Sequence, residues 1–413
     1  MSSNRSGRRV AVTGMGCVSA LGQGLDATWA ALVSGQQGIT RIDRRVGDSE
    51  LHKYAGPAAP AVALDPKALE ARTAPRVLAH MDPLAAFSVI AAHEALEDAG
   101  LVGDAVLEQK TAIVWGAGSG GNATLEESYA RSFLKSATTV HPLTIPKQMI
   151  SAPASHISML FGVQGSAFMV ASACASSGHA ITEGMHMVRS GRYDVAIVGG
   201  GEAALTYGSW LGWLALKAMS DDTCRPFSID RKGMVLGEGA AGLILEDYDR
   251  AKARGAKIYA ELAGAGASSD AYHITMPHGR GAESALRLAH EDAGVPLDTR
   301  VLVSSHGTGT PLNDKIETAA MKAVYGEALG RDLVIATKSS HGHLIGGAAA
   351  LELVTGILAL DKRVAPAILN YQGADPECDA PLALETRDID YDVLVSNSFA
   401  FGGLNSVLIA RRA

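Results

Sequence analysis

Short runs rich in β-branched residues alternate with helical patterns along the chain, and this alternation constrains the fold more than any other feature. In the first part of the chain the runs are "RRVAVTGMG", "TAIVWGAGSGG", "AFMVASAC", "YDVAIVGGG" and "AGLILE". Between them lie patterns such as "DPLAAFSVIAAHEALEDAG", where apolar residues recur every three to four positions and Gly100 follows as a helix stop. Such alternation predicts an α/β architecture with a mostly parallel sheet.

The alternation restarts after residue 258, which indicates two similar halves. The second series reads "YAELAGAGASS", "RVLVSSHGTGT", "LVIATKSS", "PAILNY", "DVLVSNSFAFGG" and "SVLIARR". Each half ends with a strand, a glycine-rich turn and a closing apolar strand, so we predict a duplicated fold with halves 1–258 and 259–413. Residues 38–76 and 121–150 are rich in proline, charge and small residues, and we predict irregular surface there, with 121–150 as a cap over a site.

Composition argues against several classes of protein. The chain has 413 residues, 47% of them apolar, which is enough for a large core. It has 43 acidic and 36 basic residues and a formal charge of -7, so nucleic acid and anionic membranes are not expected as partners. The apolar segment "HLIGGAAALELVTGILAL" contains Glu352 and falls short of a clean span, which favours a buried helix over a membrane helix.

The N-terminus and the cysteines bear on the compartment. Arg8 and Arg9 precede "VAVTGMGCVSALG", but Thr13, Gly14 and Gly16 interrupt that run, which favours a buried strand over a secretory signal. The four cysteines, which are Cys17, Cys174, Cys224 and Cys378, are widely spaced without a CxxC pair. This spacing argues against a zinc ribbon and a disulfide framework, and we expect free thiols in the cytoplasm.

Cys174 lies in "ASACASSGHA", where a strand gives way to a helix. A thiol at the start of a helix lies near unpaired backbone N–H groups and the positive end of the helix dipole, which favours the nucleophilic thiolate. The alternative interpretation is a buried structural cysteine, since free cysteine is among the most buried residue types. Position alone does not decide between the two.

Three strand ends in the second half carry further reactive side chains. His306 follows "RVLVSS", Lys338 ends "LVIATK" with His343 just after it, and Phe401 with two glycines follows "DVLVSNSFA". In open α/β sheets ligands collect outside the carboxyl ends of strands, so these side chains and Cys174 are expected to converge on one site. Each histidine alone is more often a structural residue.

Taken together, several motifs give the chain a resemblance to the β-ketoacyl-acyl-carrier-protein synthases. They are "ASACASSG", "CRPF" with "GMVLGEGA", "GAKIYAELAGAGASSDAYH", "HGTGTPLND", "TKSSHGH" and "NSFAFGGLN". The match runs nearly end to end in the family's order, and it looks closest to type II of fatty-acid synthesis and the related polyketide ketosynthases. The resemblance implies a thiolase fold of five layers, α-β-α-β-α, and usually a homodimer that works with acyl carrier protein.

The resemblance also implies roles for individual residues. Cys174 would take the acyl chain, His306 and His343 would act on the malonyl thioester, and the backbone N–H groups of Cys174 and Phe401 would form an oxyanion hole. Lys338 would be a further catalytic residue that supports the site electrostatically, and Glu352, Asp314 and Glu317 would be supporting residues. Phe401 would gate the acyl pocket, and Thr308 and Thr310 would contact the phosphopantetheine arm. No metal or other cofactor is expected.

Two residues depart from the type II pattern. His341 stands where the fatty-acid enzymes commonly have threonine, a feature shared with related polyketide synthases. Ser119 in "GAGSGG" falls where a bulky aliphatic residue lines the acyl pocket, so the acyl chain length cannot be carried over. The two departures leave the pathway open between fatty-acid and polyketide synthesis.

Other functions remain alternatives at this point. Gly116, Gly118 and Gly121 satisfy GxGxxG, and Tyr248 with Lys252 fits a reductase pair, but no acidic residue follows at the distance a dinucleotide site requires. A metal hydrolase could use His306, His341 and His343 as ligands, but no carboxylate-rich spacing accompanies these histidines in the sequence.

Homologous proteins without the same activity are also alternatives. A chain-length-factor subunit would generally lack the nucleophilic cysteine, a thiolase would have a second cysteine near the C-terminus, and type III synthases use a histidine and an asparagine. A ketosynthase that pairs with a chain-length factor stays open.

Overall fold

The computed structural model describes residues 7–46, 53–64, 77–78 and 80–413. Its strands are β1 (Val10–Ser19), β2 (Gly22–Gln23), β3 (Thr40–Arg45), β4 (Lys53–Ala58), β5 (Thr111–Gly116), β6 (Ala167–Val170), β7 (Val195–Glu202), β8 (Gly239–Asp247), β9 (Ala260–Ser269), β10 (Leu302–Ser304), β11 (Leu333–Ile335), β12 (Val364–Ala365), β13 (Arg387–Asp388), β14 (Val393–Ala400) and β15 (Leu404–Arg412). Its α-helices are α1 (Leu25–Val33), α2 (Pro83–Asp98), α3 (Val106–Gln109), α4 (Asn122–Leu134), α5 (Thr144–Gln148), α6 (Ala152–Phe161), α7 (Ser176–Arg189), α8 (Tyr207–Ala215), α9 (Tyr248–Ala253), α10 (Gly279–Ala293), α11 (Pro311–Tyr325), α12 (Lys338–His341) and α13 (Ala348–Lys362).

The main sheet is made of two five-stranded parts, one from each half of the chain, and the strands of both parts pair in the same order. These two parts are called the first and the second sheet. The order is β11-β10-β14-β15-β9-β1-β8-β7-β5-β6. In the first half β5 pairs in parallel with β6 and β7, whereas β8 pairs antiparallel with β7 and β1. In the second half β10 pairs in parallel with β11 and β14, whereas β15 pairs antiparallel with β14 and β9. The predicted duplication is therefore confirmed.

Helices complete a five-layered α-β-α-β-α arrangement. α2 packs on β1 and β8 outside the first sheet, and α10 packs on β9 and β15 outside the second. Between the sheets, α7 contacts β7 and β5 while α13 contacts β8 and β14, and these two central helices also contact each other. Because the central helices start at strand ends of both halves, their N-terminal ends can meet at one site.

The predicted buried helix after His343 is confirmed. Every residue from Ala348 to Leu360 in α13 is buried, which explains why this segment is apolar on all sides. Among the described helices, none has both the length and the apolar character that crossing a bilayer requires.

Several local predictions were wrong. The sheet is mixed rather than mostly parallel, because the three-residue turn Phe401–Gly403 between β14 and β15 is too short for a parallel crossover. "PAILNY" is not a strand, and the nearest strand is Val364–Ala365.

The two segments that the sequence indicated as irregular also contain regular structure. Thr40–Arg45 and Lys53–Ala58 pair antiparallel, and residues 121–150 contain α4 and α5. Positions 47–52 and 65–76 of the first segment lie outside the described residues.

Candidate active site

Cys174 lies in a tight turn between β6 and α7. Ala173 has a φ of 50°, an unusual conformation for a residue with a side chain. Ser176 stabilises this turn, because its Oγ accepts a hydrogen bond from the Ser172 N–H at 2.9 Å and donates one to the Ala173 carbonyl at 2.7 Å. The turn presents the Cys174 thiol to the site while leaving it only 6% exposed.

His306 follows β10 and is held mainly through its backbone. The N–H groups of His306 and Gly307 donate to the Glu317 carboxylate at 2.8 and 2.9 Å, and the Lys338 ammonium donates to the His306 carbonyl at 2.6 Å. Lys338 Nζ also lies 3.4 Å from His306 Nδ1. Since an ammonium only donates, Nδ1 accepts and the ring proton is on Nε2.

His343 follows α12 and has the same tautomer. The Ile345 N–H donates to His343 Nδ1 at 3.2 Å, which places the ring proton on Nε2. His343 Nε2 is buried and has no hydrogen-bond partner among the described residues. A buried N–H without a partner is costly, so it marks a position where a ligand acceptor is needed.

The structure brings these three side chains together. The ligand-type atoms of Cys174, His306 and His343 all lie within 4.8 Å of one another, and the two imidazole ring centroids are 5.3 Å apart at nearly right angles. A cavity of about 340 Å³ opens onto all three. Its other walls include Met234, Thr308, Thr310, Phe399 and Phe401.

Burial determines the protonation of the cluster. Desolvation raises the pKa of the Cys174 thiol to about 11, although Lys338 and the backbone N–H groups of Phe401 and Cys174 act in the opposite direction. Desolvation therefore opposes the thiolate form that the position at a helix start favours. Desolvation and the nearby Lys338 charge lower the pKa values of His306 and His343 well below the usual range, so both rings are neutral.

Lys338 and Glu352 form a fully buried ion pair beside His306. The Lys338 ammonium donates to Glu352 Oε1, and neither side chain is more than 1% exposed. Desolvation raises the pKa of Glu352 to about 7, and Lys338 opposes that shift. The pair therefore places a positive charge next to two neutral imidazoles without leaving that charge unpaired.

The remaining sequence-predicted residues surround this centre. Thr308 and Thr310 line the cavity with their hydroxyls 3.0 Å apart, and Thr310 also caps α11. Asp314 is fully buried and accepts hydrogen bonds from the N–H groups of Phe227 and Gly309. Phe401 lines the cavity in a turn where Gly402 and Gly403 have φ values of 80° and 69°, which glycine adopts without strain.

Ser119 does not line the cavity beside Cys174. Its hydroxyl donates to Glu202 Oε1 at 2.5 Å, while the N–H groups of Gly118 and Gly346 donate to Oε2 of the same carboxylate. Desolvation raises the pKa of Glu202 to about 7. Sequence reasoning missed Glu202, although its place directly after the glycines of "YDVAIVGGG" was a usable signal.

The geometry excludes the two rival catalytic sites. The Gly118 N–H is occupied by the Glu202 carboxylate, which would repel a dinucleotide phosphate. His341 hydrogen-bonds to the Gly342 carbonyl at 2.8 Å and to Thr337 Oγ1 at 2.9 Å, so it does not join His306 and His343. The dinucleotide and three-histidine hypotheses are therefore wrong, and the expected absence of a metal stays a prediction.

Comparisons with known proteins identify the family. The "Beta-ketoacyl synthase, N-terminal domain" model matches residues 7–251, and the corresponding C-terminal domain model matches residues 259–372. Nodulation protein E of Rhizobium leguminosarum bv. trifolii is 40% identical over 98% of this chain and 99% of its own. The 3-oxoacyl-[acyl-carrier-protein] synthase 2 of Synechocystis sp. is 35% identical over 99% of both chains.

A solved structure shows the same architecture. The ishigamide ketosynthase/chain length factor superposes with a TM-score of 0.92 at 31% identity, covering 99% of this chain and 100% of that one. This chain has the five layers, the duplicated sheets and the cysteine with two histidines, and its relatives are condensing enzymes. The chain therefore belongs to the β-ketoacyl synthase family of acyltransferases.

Proposed function

We propose that the protein catalyses decarboxylative condensation between an acyl group held on Cys174 and a malonyl group held on acyl carrier protein. The observation that carries the proposal is the convergence of Cys174 Sγ with His306 and His343 in one cavity. One nucleophile and two neutral N–H donors are the groups that this reaction requires.

In the first step Cys174 accepts the acyl group. Its sulfur forms a new thioester bond, the carrier thioester breaks, and the thiol proton leaves with the carrier thiol. The N–H groups of Cys174 and Phe401 lie beside the sulfur, where the oxyanion of the tetrahedral intermediate would accept from both. One such preorganised donor is worth about 3 kcal/mol in acyl transfer.

In the second step the malonyl group loses CO2. The electrons of the broken carbon–carbon bond form an enolate, whose oxygen would accept hydrogen bonds from the Nε2–H groups of His306 and His343. Both rings are neutral and present N–H into the cavity, so they can donate without first taking up a proton. The enolate carbon then attacks the Cys174 thioester, and the sulfur leaves and is protonated.

The buried polar residues behind the cavity are positioning residues in this proposal. Glu317 fixes the backbone at His306, and the Lys338 ammonium, paired with Glu352, lies beside His306 and favours the developing anions. Asp314 fixes the turn that carries Thr308 and Thr310, whose hydroxyls would contact the phosphopantetheine arm in the cavity.

Phe401 is the gate of the acyl pocket in this proposal. Phe401 stacks on Trp213 at the cavity wall, with ring centroids 5.7 Å apart, and is suited to gate access to Cys174. Ser119 does not line this cavity, and its hydroxyl donates to the Glu202 carboxylate instead. The boundary between the halves is proposed at residues 258 and 259, where the chain passes from α9 of the first half to β9 of the second.

Intact-mass measurement with a panel of acyl-carrier proteins tests the proposal. The chain should gain the mass of one acyl group, peptide mapping should place it on Cys174, and prior alkylation of Cys174 should prevent it. The preferred chain length would be read from the same panel. An absent adduct, or an adduct on another residue, would contradict the assignment.

A second candidate is a ketosynthase that is active only when paired with a chain-length-factor subunit. The likeness to a ketosynthase/chain length factor structure favours it. Condensation by the purified chain alone, eluting as a homodimer, would exclude this alternative. Activity that appears only with a homologous partner would establish it.

A further inference from the structure

Two turns from opposite halves supply the backbone donors beside the Cys174 sulfur. One turn precedes α7 and carries the Cys174 N–H, and the other connects β14 to β15 and carries the Phe401 N–H. A single oxyanion can accept from both only if the two turns keep a fixed separation, because misplacement by about 1 Å is enough to reduce a rate strongly. The contacts that set this separation therefore matter for acyl transfer.

His179 on α7 connects the two turns. Its Nδ1 lies 2.7 Å from Ser172 Oγ, and its Nε2 lies 3.3 Å from the carbonyl oxygen of Asn405. A carbonyl only accepts, so Nε2 carries the ring proton and Nδ1 accepts from the Ser172 hydroxyl. Burial lowers the pKa of His179, which favours this neutral form.

The Asn405 end of this connection continues into the Phe401 turn. Asn405 Nδ2 donates to the Gly403 carbonyl at 3.2 Å and to Asp270 Oδ1 at 2.8 Å. The Asp270 N–H in turn donates to the same Gly403 carbonyl at 2.9 Å. A displacement at Asn405 would therefore be transmitted to the turn that carries the Phe401 N–H.

The Ser172 end leads directly to the nucleophile. Ser172 is two residues before Cys174, and Ser176 already satisfies its N–H within the turn. The Ser172 hydroxyl is thus available for His179. Gly178, the residue before His179, packs closely on β15, since a Cβ there would lie 2.6 Å from Ser406 Oγ. This close packing helps to hold His179 near Asn405.

We propose that His179 is a positioning residue that fixes the Cys174 turn relative to the Phe401 turn, so that both N–H groups reach one oxyanion. The inference rests on the proposed function, because it assumes that these two donors stabilise the intermediate of acyl transfer. Because the same two N–H groups also lower the pKa of the thiol, it predicts a small effect of His179 on thiol reactivity and a much larger one on the steps that form an oxyanion.

Two reactions at the same sulfur separate these effects. Alkylation by iodoacetamide is a direct displacement without an oxyanion, whereas acylation by an acyl-carrier protein passes through one. In His179→Ala the acylation rate should fall about tenfold or more while the alkylation rate stays within about twofold of the wild type. His186→Ala, an exposed position on the same helix, is the control and should change neither rate.

Ser172→Ala provides an independent variant should His179→Ala fold poorly. It removes the other end of the contact and should show the same selective loss of acylation, which Ser172→Thr should restore. Equal losses of acylation and alkylation, or no loss in either, would overturn the positioning role. Absence of acylation in the wild type would overturn the proposed function and this inference with it.

Discussion

The two halves of the molecule share one pairing order but carry different chemistry at matching strand ends. β6 leads into Cys174 in the first half, and its counterpart β11 leads into Lys338 in the second. The first half thus presents a nucleophile, and the second presents His306, His343 and a buried cation. Neither half contains the full set of groups, so in the proposed function the first half supplies the nucleophile for acyl transfer and the second supplies the histidines for decarboxylation.

Removing the first half's nucleophile should have the largest effect. Cys174→Ala should lower condensation by about 10³-fold or more, because no acyl-enzyme can form. Release of CO2 from malonyl-carrier protein should persist, because His306 and His343 remain. Measuring both products in one reaction checks this, with Cys17→Ala as the control cysteine variant. Condensation that persists in Cys174→Ala would refute the division.

Removing a histidine of the second half should produce the converse pattern. His306→Ala or His343→Ala should lower CO2 release about 10²-fold, since each removes one N–H donor to the enolate. Self-acylation of Cys174, followed by intact mass, should fall much less. If both steps fell equally in the two variants, the histidines would not be specific to decarboxylation.

The charge of Lys338, in the second half, acts on the Cys174 thiol of the first half. Removing this charge should have an intermediate effect on the alkylation rate of Cys174. Wild-type Cys174 should alkylate slowly near neutral pH, with a rate that rises toward a midpoint near pH 11 rather than 9. Because Lys338 lowers the pKa of the thiol, Lys338→Met should react several-fold more slowly at each pH below that midpoint.

The paired carboxylate requires its own control. Lys338→Met alone leaves Glu352 buried without its cation, so the matched variant is Lys338→Met with Glu352→Gln, which leaves no unpaired buried charge. An alkylation profile in the double variant identical to that of the wild type would show that Lys338 has no effect on the thiol.

Replacing Glu202, in the first half, should have the smallest effect of these changes, and it should alter stability rather than reaction rate. Its folded-state pKa of about 7 exceeds the unfolded value near 4.5, so the folded state binds more protons between these pH values and stability falls as pH rises through them. The loss amounts to about 3 kcal/mol by pH 8. Glu202→Gln should flatten this slope in urea unfolding at pH 5 and pH 8, at one protein concentration. An unchanged slope would contradict the assignment.

The sequence predicted the parts of the molecule that depend on local pattern. The strand ends that carry Cys174, His306 and Lys338 were identified because apolar runs stop at small or reactive residues. The antiparallel pair formed by Thr40–Arg45 and Lys53–Ala58 was missed because the first strand is mostly charged and exposed and the second contains glycine and proline, which are uncommon in strands.

The protonation of the site could not be predicted from sequence. The raised pKa of Cys174 depends on how completely three distant segments exclude water from the thiol, and no local pattern encodes that burial. For the same reason the contact between His179 and Asn405, 226 positions apart, had no signal in the sequence.

A chase of labelled acyl-enzyme tests the central claim most directly. The wild type would be loaded with a ¹³C-labelled acyl group on Cys174, freed of carrier, and then mixed with unlabelled malonyl-carrier protein. We predict that the label leaves Cys174 and appears in the β-ketoacyl product with release of one CO2 per transfer. Release of CO2 while the label stays on Cys174, or product without label, would contradict the account.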